Sequence, residues 1–446
     1  MLNSSRGLKK SKLDFILMGV TVMLLCIGTI AIMSAVSDAS FGPRAVRTHF
    51  IAIPIAAVIF FLSWSFNYQI YKDQWKILYG IIIIILVAVL IFGVSDRGAK
   101  SWFRLPLFSI QPIEICRIAL ILVLAGFLEK NYNRIKRVSV MLGVLLIVMP
   151  IFLLIMKQPD FSSLIVIFPT VVVMIYCAGA NIAHLFVIIG YGFIVMLFPI
   201  VWTFLKLHPH WMANSIIFQN ISSLSSFGME SVVFCILILI CAYLLWWFFN
   251  KFRIFIPKAY FFGAALVIIA GFASGMWAYS QMKGYQHKRL EVFVKPGSDP
   301  KGASYNLLQA QIAMGSGGIV GKGVFSGTQS RLGFVPEKHT DFIMAVIGEE
   351  MGFLGSLAVL VLYVIFLWRI LKASLYARDK FGYFVCCGIF TMFAIHMFIN
   401  LGMSLAIVPI AGLPLPLVSY GGSNLVASLW AIGLVQSIYA RRMAIV

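Results

Sequence analysis

Charged side chains are scarce in this sequence. Only 11% of its 446 residues are Asp, Glu, Lys or Arg, whereas a soluble domain has about a quarter. The sequence also lacks the low hydrophobicity of an intrinsically disordered chain, because 61% of its residues are hydrophobic. The seven cysteines all lie in apolar stretches, so they indicate small buried side chains rather than disulfides or metal ligands. Acidic residues are the rarest charged class, with 15 against 35 Lys and Arg, and the formal net charge is +20.

Long apolar runs dominate the rest of the chain. Twelve of them are close to the ~20 residues that a helix needs to cross the hydrocarbon core of a bilayer. Because lipid offers the backbone no hydrogen-bond partners, each run is predicted to be a helix. The sequence therefore predicts an all-α polytopic membrane protein with a bundle of about 12 transmembrane helices. The predicted spans are 15–36, 46–65, 77–94, 113–128, 139–156, 163–180, 182–204, 231–249, 259–280, 341–368, 383–403 and 416–440.

Basic residues are distributed unequally between the segments that join these spans. If the N-terminus is cytoplasmic, nineteen Lys and Arg lie in cytoplasmic segments and seven in short outward segments. Eight more lie in the single long segment 281–340, which then faces outward. The positive-inside rule therefore predicts that both termini are cytoplasmic. Orientation in a membrane, rather than binding of nucleic acid, accounts for most of the basic excess.

Segment 281–340 is the one long polar stretch, and six glycines lie between Gly315 and Gly327. Loops longer than about 12–15 residues are usually functional or disordered, and the aromatic residues in this segment favour an ordered one. A phosphate-binding loop is one interpretation of the glycines, but their spacing matches no P-loop. The favoured interpretation is re-entrant packing, in which glycines let the backbone lie close to helices.

An acidic residue, Asp341, stands where the long segment enters an apolar helix, and Glu349 and Glu350 follow in that helix. Acids in membrane helices are costly and are candidates for function. At ~1.5 Å rise per residue, Glu349 lies about 12 Å deeper than Asp341, so the two carboxylates cannot share one reacting bond. The spacing leaves two interpretations of Asp341 open: a general base, or an acid that stabilises the helix N-terminus.

Three further polar groups lie at predicted outward ends of spans. Glu114 and Arg117 are three residues apart on one helix face, which suits either a self-neutralising ion pair or a role in a cavity. Asp160 stands at the start of the sixth span and suits an N-terminal helix acid. Segment 414–423 interrupts regular helix with two prolines and two glycines. Their position on the same side as segment 281–340 indicates an outward-facing site.

Four blocks of the sequence are distinctive. They are GAKSWF at 98–103 with QPIEICR at 111–117, KQPDFSS at 157–163, the stretch 285–355 that contains GKG, GTQS and EKHTDF, and NLGMSLAIVPIAGLPLPLVSYGGS at 400–423. In this order they resemble the SEDS family (shape, elongation, division and sporulation) of peptidoglycan polymerases. The third block is closer to the elongation branch of that family than to the division branch.

The resemblance implies a single membrane domain, 1–446, that polymerises lipid II into glycan strands for cell elongation and shape. Family members typically have ten spans, so 182–258 is predicted to contain an extra transmembrane hairpin. The aspartate of the HTDF motif is the family's catalytic residue, and here it is Asp341. Glu114, Arg117 and Asp160 match polar positions around the family's cavity, and Arg289 matches a loop arginine. The sequence departs from the family pattern at Ser162 and Ser163, at Arg117 and at Lys295.

The implied reaction is an inverting displacement, in which a sugar hydroxyl attacks an anomeric carbon and a lipid diphosphate leaves. Such a step needs a base, for which Asp341 is suited, and positive charge at the leaving group. No cofactor is required by the sequence, although a divalent cation, Mg²⁺ or Mn²⁺, is a candidate to share that charge. The substrate-binding candidates that complete the set are Lys100, Lys157, Arg289, Lys322, Lys338 and Ser419.

The implied location is the bacterial cytoplasmic membrane. The implied partners are lipid II, membrane lipid, a class B penicillin-binding protein that cross-links the product, and other membrane proteins of the elongation complex. Nucleic acid is not an expected partner. Two alternatives stay open at this point: a flippase or transporter for a lipid-linked precursor, and a non-catalytic scaffold for a penicillin-binding protein. Transporters place their sites near the bilayer midplane, often between repeats, whereas the polar groups here gather at one predicted surface.

Overall fold

The computed structural model describes residues 13–37, 41–96, 99–104, 109–297, 299, 302–331 and 337–442. Gly98 of the first motif block and residues 332–336 of the long polar segment lie outside the described residues.

In the described residues, twelve helices of 17 residues or more lie at the positions of the predicted spans. Among these described helices, ten are long and apolar enough to cross a membrane. Of the other two, α7 has only 17 residues, and α5 carries charge at both ends. The multi-pass helical membrane fold is therefore confirmed. The twelve helices are α1 (Phe15–Val36), α2 (Gly42–Ser65), α4 (Trp75–Phe92), α5 (Pro112–Lys130), α6 (Val138–Lys157), α7 (Phe161–Cys177), α8 (Ile182–Leu207), α11 (Met229–Lys251), α12 (Lys258–Gln281), α16 (Ile343–Leu375), α17 (Lys380–Ser404) and α18 (Gly422–Ala440).

Short elements join the long helices. A small antiparallel sheet of three short strands stands between α4 and α5, where Val94 pairs with Trp102 and Phe103 pairs with Ile110. The rest of the regular structure in the described residues is helical, so the all-α class is confirmed. Segment 281–340 is not a plain loop, because three helices lie within its described part. The short elements are α3 (Gln69–Asp73), β1 (Val94–Asp96), β2 (Ala99–Arg104), β3 (Ser109–Ile110), a 3₁₀ helix (Tyr132–Arg134), α9 (Pro209–Asn214), α10 (Ile216–Ser223), α13 (Gly284–Val294), α14 (Ala303–Ser316) and α15 (Thr328–Arg331).

The chain divides into two compact units. The first comprises Met1–Gly179, Leu308–Leu405 and Ala411–Val446. Small residues bring its helices close together: a Cβ added to Gly433 of α18 would lie 2.7 Å from the Phe60 carbonyl oxygen of α2. Ser63 of α2 donates a hydrogen bond to the Trp430 carbonyl at 3.2 Å. Small residues are the usual means of close helix packing in membranes, because lipid provides no hydrophobic driving force between helices.

A buried polar network joins three helix ends of the first unit. Arg369 near the end of α16 donates to Asp14 Oδ2 from Nε at 2.8 Å and also from Nη2. Asp14 caps α1 by accepting from the Leu17 N–H, and its backbone exchanges two 3.0 Å hydrogen bonds with the Gln436 side chain of α18. These three ends therefore lie on one side of the unit. The predicted topology places the same three ends on one side.

The second unit comprises Ala180–Leu307 and Ala406–Ile410. Its centre is an apolar cluster of Trp202, Leu224, Phe272 and Met276. Gly275 of α12 lets the backbones of α12 and α8 approach, since a Cβ there would lie 3.0 Å from the Val195 carbonyl oxygen. The predicted hairpin 182–258 lies within this unit together with α12. Its status as an addition to a ten-span core stays a prediction.

Candidate active site

Asp341 lies in a tight turn that precedes α16. Its backbone N–H donates to the Glu337 carbonyl at 3.0 Å, and the side chain is 8% exposed. The helix begins at Ile343, and its N-cap residue is Phe342, which makes no side-chain capping hydrogen bond. Asp341 is therefore next to the N-cap rather than the N-cap itself, and both interpretations left by the spacing, a general base and an acid beside the helix N-terminus, stay open at this point.

Two other parts of the chain hold this turn. Asn400 of α17 donates from Nδ2 to the carbonyl oxygens of Asp341 and Leu413, both at 2.9 Å. The Tyr420 N–H donates to the His339 carbonyl at 2.8 Å. Segments from two distant sequence blocks, 400–423 and 337–342, thus meet at Asp341. These contacts fix the backbone from which the Asp341 side chain projects, and a general base needs such a defined position.

Tyr420 also packs its ring against the turn. Its ring centroid lies 5.5 Å from that of His339, which in turn lies 5.4 Å from Phe41. Burial raises the pKa of Tyr420 above its ordinary value, so its hydroxyl stays protonated at neutral pH. The Tyr420 ring therefore packs beside the Asp341 turn, and its hydroxyl is neutral.

The ion pair predicted from the i,i+3 spacing in α5 is present. Arg117 Nη2 donates to Glu114 Oε1 at 2.7 Å, and both side chains are buried, at 4% and 6% exposure. Arg117 Nη1 lies 2.7 Å from His396 Nε2 of α17, and Asn424 of α18 donates to Glu114 Oε2 at 3.2 Å. The pair is therefore both self-neutralising and part of a buried polar cluster, so the two interpretations are compatible.

Asp160 is the N-cap of α7, as expected for an acid at a helix start. It accepts from the Ser163 N–H at 3.2 Å and from the Ser163 hydroxyl at 2.6 Å. Ser163 also accepts from Arg117 Nη2 at 3.3 Å, so the cap is connected to the ion pair. Gln111 Nε2 lies 3.5 Å from Asp160 Oδ2. One hydrogen-bonded network thus contains all three polar positions that the resemblance placed around a cavity.

Helix α17 connects this network to the Asp341 turn. His396 contacts Arg117, and Asn400, which holds Asp341, is four residues further along. Residues at i and i+4 share a helix face and are separated by about 6 Å along the axis. The Asp341 turn and the Glu114–Arg117 pair are therefore attached to the same face of α17, one turn apart.

His396, Asn400 and Asn424 were missed in the sequence. Their side chains are 1%, 0% and 6% exposed. A polar residue inside a membrane span is a functional candidate by default, and this signal would have found all three, His396 and Asn400 within the span 383–403 and Asn424 within the span 416–440. Which partners the three residues contact depends on helix packing, and no spacing within one helix contains that information.

The Gly-rich segment packs closely on α16, as the favoured interpretation predicted. A Cβ on Gly317 would lie 1.9 Å from the Gly348 carbonyl oxygen, and one on Gly321 would lie 2.2 Å from that of Glu350. Gly352 breaks the helical path of α16 with φ 69° and ψ −164°. At this kink the Phe353 N–H donates to the Gly318 carbonyl at 2.9 Å. Gly317 and Gly321 therefore serve close backbone approach, and no phosphate is needed to explain these two glycines.

The five predicted leaving-group cations are placed very differently. Lys100 on β2 and Lys157 at the end of α6 are exposed. Arg289 lies on α13 in the second unit, with its guanidinium 5.8 Å from the Tyr285 ring centroid. Lys322 pairs with Glu349 Oε1 at 3.0 Å, and Lys338 is buried and donates to the Ser330 carbonyl. The last two lysines thus make strong contacts within the protein.

Ser419, the remaining predicted substrate contact, closes a turn. Its hydroxyl accepts from the Leu415 N–H at 2.9 Å, and its own N–H donates to the Leu415 carbonyl at 2.8 Å. At 6% exposure it is buried. The hydroxyl therefore has a structural partner that explains a serine at this position.

Comparison with known proteins adds a family to this geometry. The family model of FtsW, RodA and SpoVE, described as cell cycle proteins, matches residues 15–225 and 211–443. The chain is 31% identical over 445 residues to the peptidoglycan glycosyltransferase RodA of Treponema pallidum, covering 97% of this chain and 99% of that protein. It is 30% identical over 390 residues to the peptidoglycan glycosyltransferase MrdB of Escherichia coli K12, covering 87% and 84%.

A solved structure has the same fold. One chain of a peptidoglycan synthase complex that coordinates polymerization and crosslinking superposes with a TM-score of 0.66. The two sequences are 23% identical, and the similarity covers 97% of this chain and 99% of that one. At this identity the likeness shows the shared fold.

Proposed function

The chain belongs to the FtsW, RodA and SpoVE family, and we propose that it is the glycosyltransferase that polymerises lipid II into glycan strands, with Asp341 as its general base. The family match and the relatives named as peptidoglycan glycosyltransferases support the activity. Cell elongation and shape are the corresponding process, in keeping with the RodA and MrdB relatives.

The observation that carries the role of Asp341 is the way in which its turn is held. Asn400 binds the Asp341 carbonyl, and Tyr420 binds that of His339, so the backbone on both sides of the carboxylate is fixed. A carboxylate accepts a proton from an attacking hydroxyl only when it is within hydrogen-bond reach of that hydroxyl. Fixing the turn in advance lowers the cost of reaching that geometry.

The reaction then needs no protein nucleophile. The acceptor sugar hydroxyl loses its proton to Asp341 as its oxygen bonds to the anomeric carbon of the donor. The bond from that carbon to the diphosphate oxygen breaks, the lipid diphosphate leaves, and the configuration inverts. Lys100 and Lys157 are the candidate cations for the leaving group, because nearby positive charge stabilises the negative charge that develops there. Arg289 keeps the substrate-binding role that the resemblance predicts for it. Glu114, Arg117 and Asp160, which the resemblance places around the family's cavity, are the proposed polar contacts to the substrate.

A divalent cation remains part of the proposal. No three His, Cys, Asp or Glu side chains come together as a protein-only metal site in the described part of the chain. Mg²⁺, however, is commonly bound by one or two carboxylates plus substrate phosphates. Asp341 would supply the carboxylate, and the ion would neutralise charge on the diphosphate. Removal of divalent ions with EDTA, followed by addition of Mg²⁺ or Mn²⁺, tests whether polymerisation depends on them.

We propose a penicillin-binding protein of class B as the partner that cross-links the strands, together with other membrane proteins of the elongation complex. The similarity to a chain of a synthase complex that coordinates polymerization and crosslinking supports this pairing. The protein would work in the bacterial cytoplasmic membrane with both termini in the cytoplasm, which the distribution of Lys and Arg supports.

Purified protein supplied with fluorescent lipid II tests the proposal. We expect wild type to form glycan chains and Asp341→Asn to form none, because an amide of the same shape cannot accept the proton. Asp73→Asn is the matched control, since Asp73 is exposed at the end of α3, and it should keep full activity. Equal product from Asp341→Asn would eliminate the base. Transfer of lipid II across vesicles without polymer would favour a flippase instead.

A further inference from the structure

Glu349 is an acidic residue for which the proposed chemistry has no use. It lies in α16, eight residues after Asp341, and is 0% exposed. Its carboxylate accepts four hydrogen bonds: from Lys322 Nζ at 3.0 Å, Thr328 Oγ1 at 3.1 Å, and the N–H groups of Gln329 and Ser330, both at 2.8 Å. All four donors come from the Gly-rich segment 315–331. A buried carboxylate needs such partners, because an unpaired charge in a low-dielectric interior is very costly.

Lys322 is fixed by the same set of contacts. Besides Glu349, its ammonium donates to Ser316 Oγ at 2.7 Å and Thr328 Oγ1 at 2.8 Å. An ammonium has three N–H donors, and these three acceptors account for all of them. The charge of Lys322 is thus neutralised at 3.0 Å by Glu349. These contacts explain Lys322 better as a residue that holds segment 315–331 in place than as a ligand of the leaving diphosphate.

The neighbouring acid and the backbone strengthen the attachment. Ser34 of α1 donates to Glu350 Oε1, and a Cβ on Gly327 would lie 3.2 Å from the same oxygen, so the segment also packs directly on this carboxylate. The N–H groups of Lys322 and Gly323 donate to the carbonyls of Glu349 and Glu350, both at 3.0 Å. These carbonyls are available because Gly352 breaks the helix two to three residues later. Segment 315–331 is therefore bound to the kink of α16 by both side chains and backbone.

Ser330 links this attachment to the catalytic turn. Its N–H binds Glu349, and its carbonyl accepts from the buried ammonium of Lys338. Lys338 lies in the turn 337–342, three residues before Asp341. The contacts Glu349–Ser330–Lys338 thus form a continuous path to the turn, separate from the one through Asn400.

We propose that Glu349 is a positioning residue: with Lys322 it fixes segment 315–331, which in turn holds the Asp341 turn through Lys338. This inference rests on the proposed function, in that Asp341 is taken as the base. Loss of the attachment displaces the carboxylate without removing substrate contacts. A misplacement of about 1 Å far from the chemistry can cost ~100-fold in rate. The effect is thus expected in kcat rather than in KM.

Kinetics with fluorescent lipid II separate a positioning role of Glu349 and Lys322 from a role of Lys322 as a ligand of the leaving diphosphate. We expect Glu349→Gln and Lys322→Met each to lower kcat by roughly 10- to 100-fold, with KM changed less than about threefold. The double variant should be no worse than Glu349→Gln alone, because residues that act as one unit are not additive. Lys322→Arg should retain most of the activity. A rise in KM for Lys322→Met that adds independently to the effect of Glu349→Gln would return Lys322 to the leaving group and overturn the proposal.

Amide hydrogen exchange provides a readout that does not depend on activity. In Glu349→Gln the amides of Gln329 and Ser330 should exchange faster, whereas Asp341→Asn should leave them protected. Lys72→Met is the control, because it breaks a lysine–glutamate pair of 2.9 Å, with Glu129, away from this segment. Unchanged exchange in Glu349→Gln would refute the attachment, even if the role of Asp341 held. Activity in Asp341→Asn would refute the role of Asp341 as the base. The exchange experiment would still show whether Glu349 holds segment 315–331.

A milder variant covers the case in which Glu349→Gln does not fold. Thr328→Val removes one donor to Glu349 and one acceptor from Lys322 while conserving volume, and Thr328→Ser restores both. A partial loss of kcat in Thr328→Val, restored in Thr328→Ser, supports the proposal. Wild-type kcat in both variants, with the amides of Gln329 and Ser330 exchanging faster in Thr328→Val, would overturn it.

Discussion

At the scale of single residues, burial decides how much an ion pair matters. Glu114 and Arg117 are almost fully buried, whereas the Lys72 side chain in the Lys72–Glu129 pair is 42% exposed. Removing one partner of a buried pair leaves an unpaired charge, while removing one partner of an exposed pair leaves a solvated one. The two pairs have similar geometry, with N–O distances of 2.7 and 2.9 Å, so they make a direct comparison.

Glu114→Gln should therefore lower the free energy of unfolding by about 3–5 kcal/mol, and Lys72→Met by at most about 1 kcal/mol. The combination Glu114→Gln with Arg117→Met should recover part of the loss, because no buried charge is left unpaired. Thermal unfolding in detergent, followed by the fluorescence of the purified protein, measures all three. Equal destabilisation by Glu114→Gln and Lys72→Met would contradict this account.

His287, which lies on α13 in the second unit, gives a prediction about pH. Burial lowers its pKa below the ordinary value of 6.5, and the charge of Lys206 adds to the decrease. Because the unfolded chain then binds this proton more readily than the folded one, stability falls as the pH drops below about 6.5. His287→Gln should make stability less dependent on pH in this range. Unfolding curves collected from pH 7.5 to 5 test this, and identical slopes for wild type and variant would count against it.

Part of the site could be predicted from the sequence and part could not, and the reason differs from residue to residue. Glu114 and Arg117 were predictable as partners because their spacing within one helix sets their separation. His396 and Asn424 contact the same pair from other helices, and only packing brings them there. Lys322 looked like a cation available to a substrate, because nothing in a loop sequence indicates that Glu349, 27 residues away, neutralises it.

At the scale of elements, the packing of the Gly-rich segment 315–331 on α16 requires that some of its positions have no side chain. Gly321 has φ +88°, where L side chains are strained, and a Cβ there would lie 2.2 Å from the Glu350 carbonyl oxygen. Gly315 in α14 has no atom within 4 Å of such a Cβ. The same substitution at two glycines six residues apart should therefore have opposite consequences.

Gly321→Ala should detach the segment from α16, lower thermal stability and reduce polymerisation at least as much as Glu349→Gln does. Gly315→Ala should leave activity unchanged and raise stability slightly, because alanine is favoured over glycine in a helix by up to about 1 kcal/mol. Activity assays and thermal unfolding of the two variants, side by side, check the pair. Wild-type behaviour of Gly321→Ala would mean that the close approach is not needed.

Helix positions were predictable from hydropathy, and their ends less so. The last span was predicted from 416, but α18 begins at Gly422. Residues 414–418 are apolar and buried or nearly so, yet Leu417 has φ 67° and Ser419 closes a turn. Hydropathy reports burial in lipid or protein alike, so it cannot separate a buried turn from a helix. The three short strands between α4 and α5 were not predicted for a different reason. Strands β1 and β3 have only three and two residues, which is too short for an alternating pattern to be recognised.

At the scale of the whole molecule, topology is the open prediction with the simplest test. In a variant without native cysteines, His210→Cys should react with a membrane-impermeant maleimide added to intact cells, and Arg134→Cys should react only after lysis. Both residues are exposed in the structure, so a difference in labelling reports the side of the membrane. The reverse pattern would invert the orientation that the nineteen cytoplasmic Lys and Arg predict.

The network of Asp14, Arg369 and Gln436 has a consequence for biosynthesis. Asp14 and its partner Gln436 are 422 residues apart, and α2 packs on α18. A ribosome adding about 5–20 residues per second needs roughly 20–80 seconds between the two. Throughout that interval the first two helices are in the membrane without their final neighbour, whereas Ala180–Leu307 of the second unit is a single stretch that is complete long before the C-terminus is made. A nascent chain that stalls before α18 therefore lacks the two hydrogen bonds between the Asp14 backbone and the Gln436 side chain. Such chains are the expected substrates of membrane proteases and insertion chaperones.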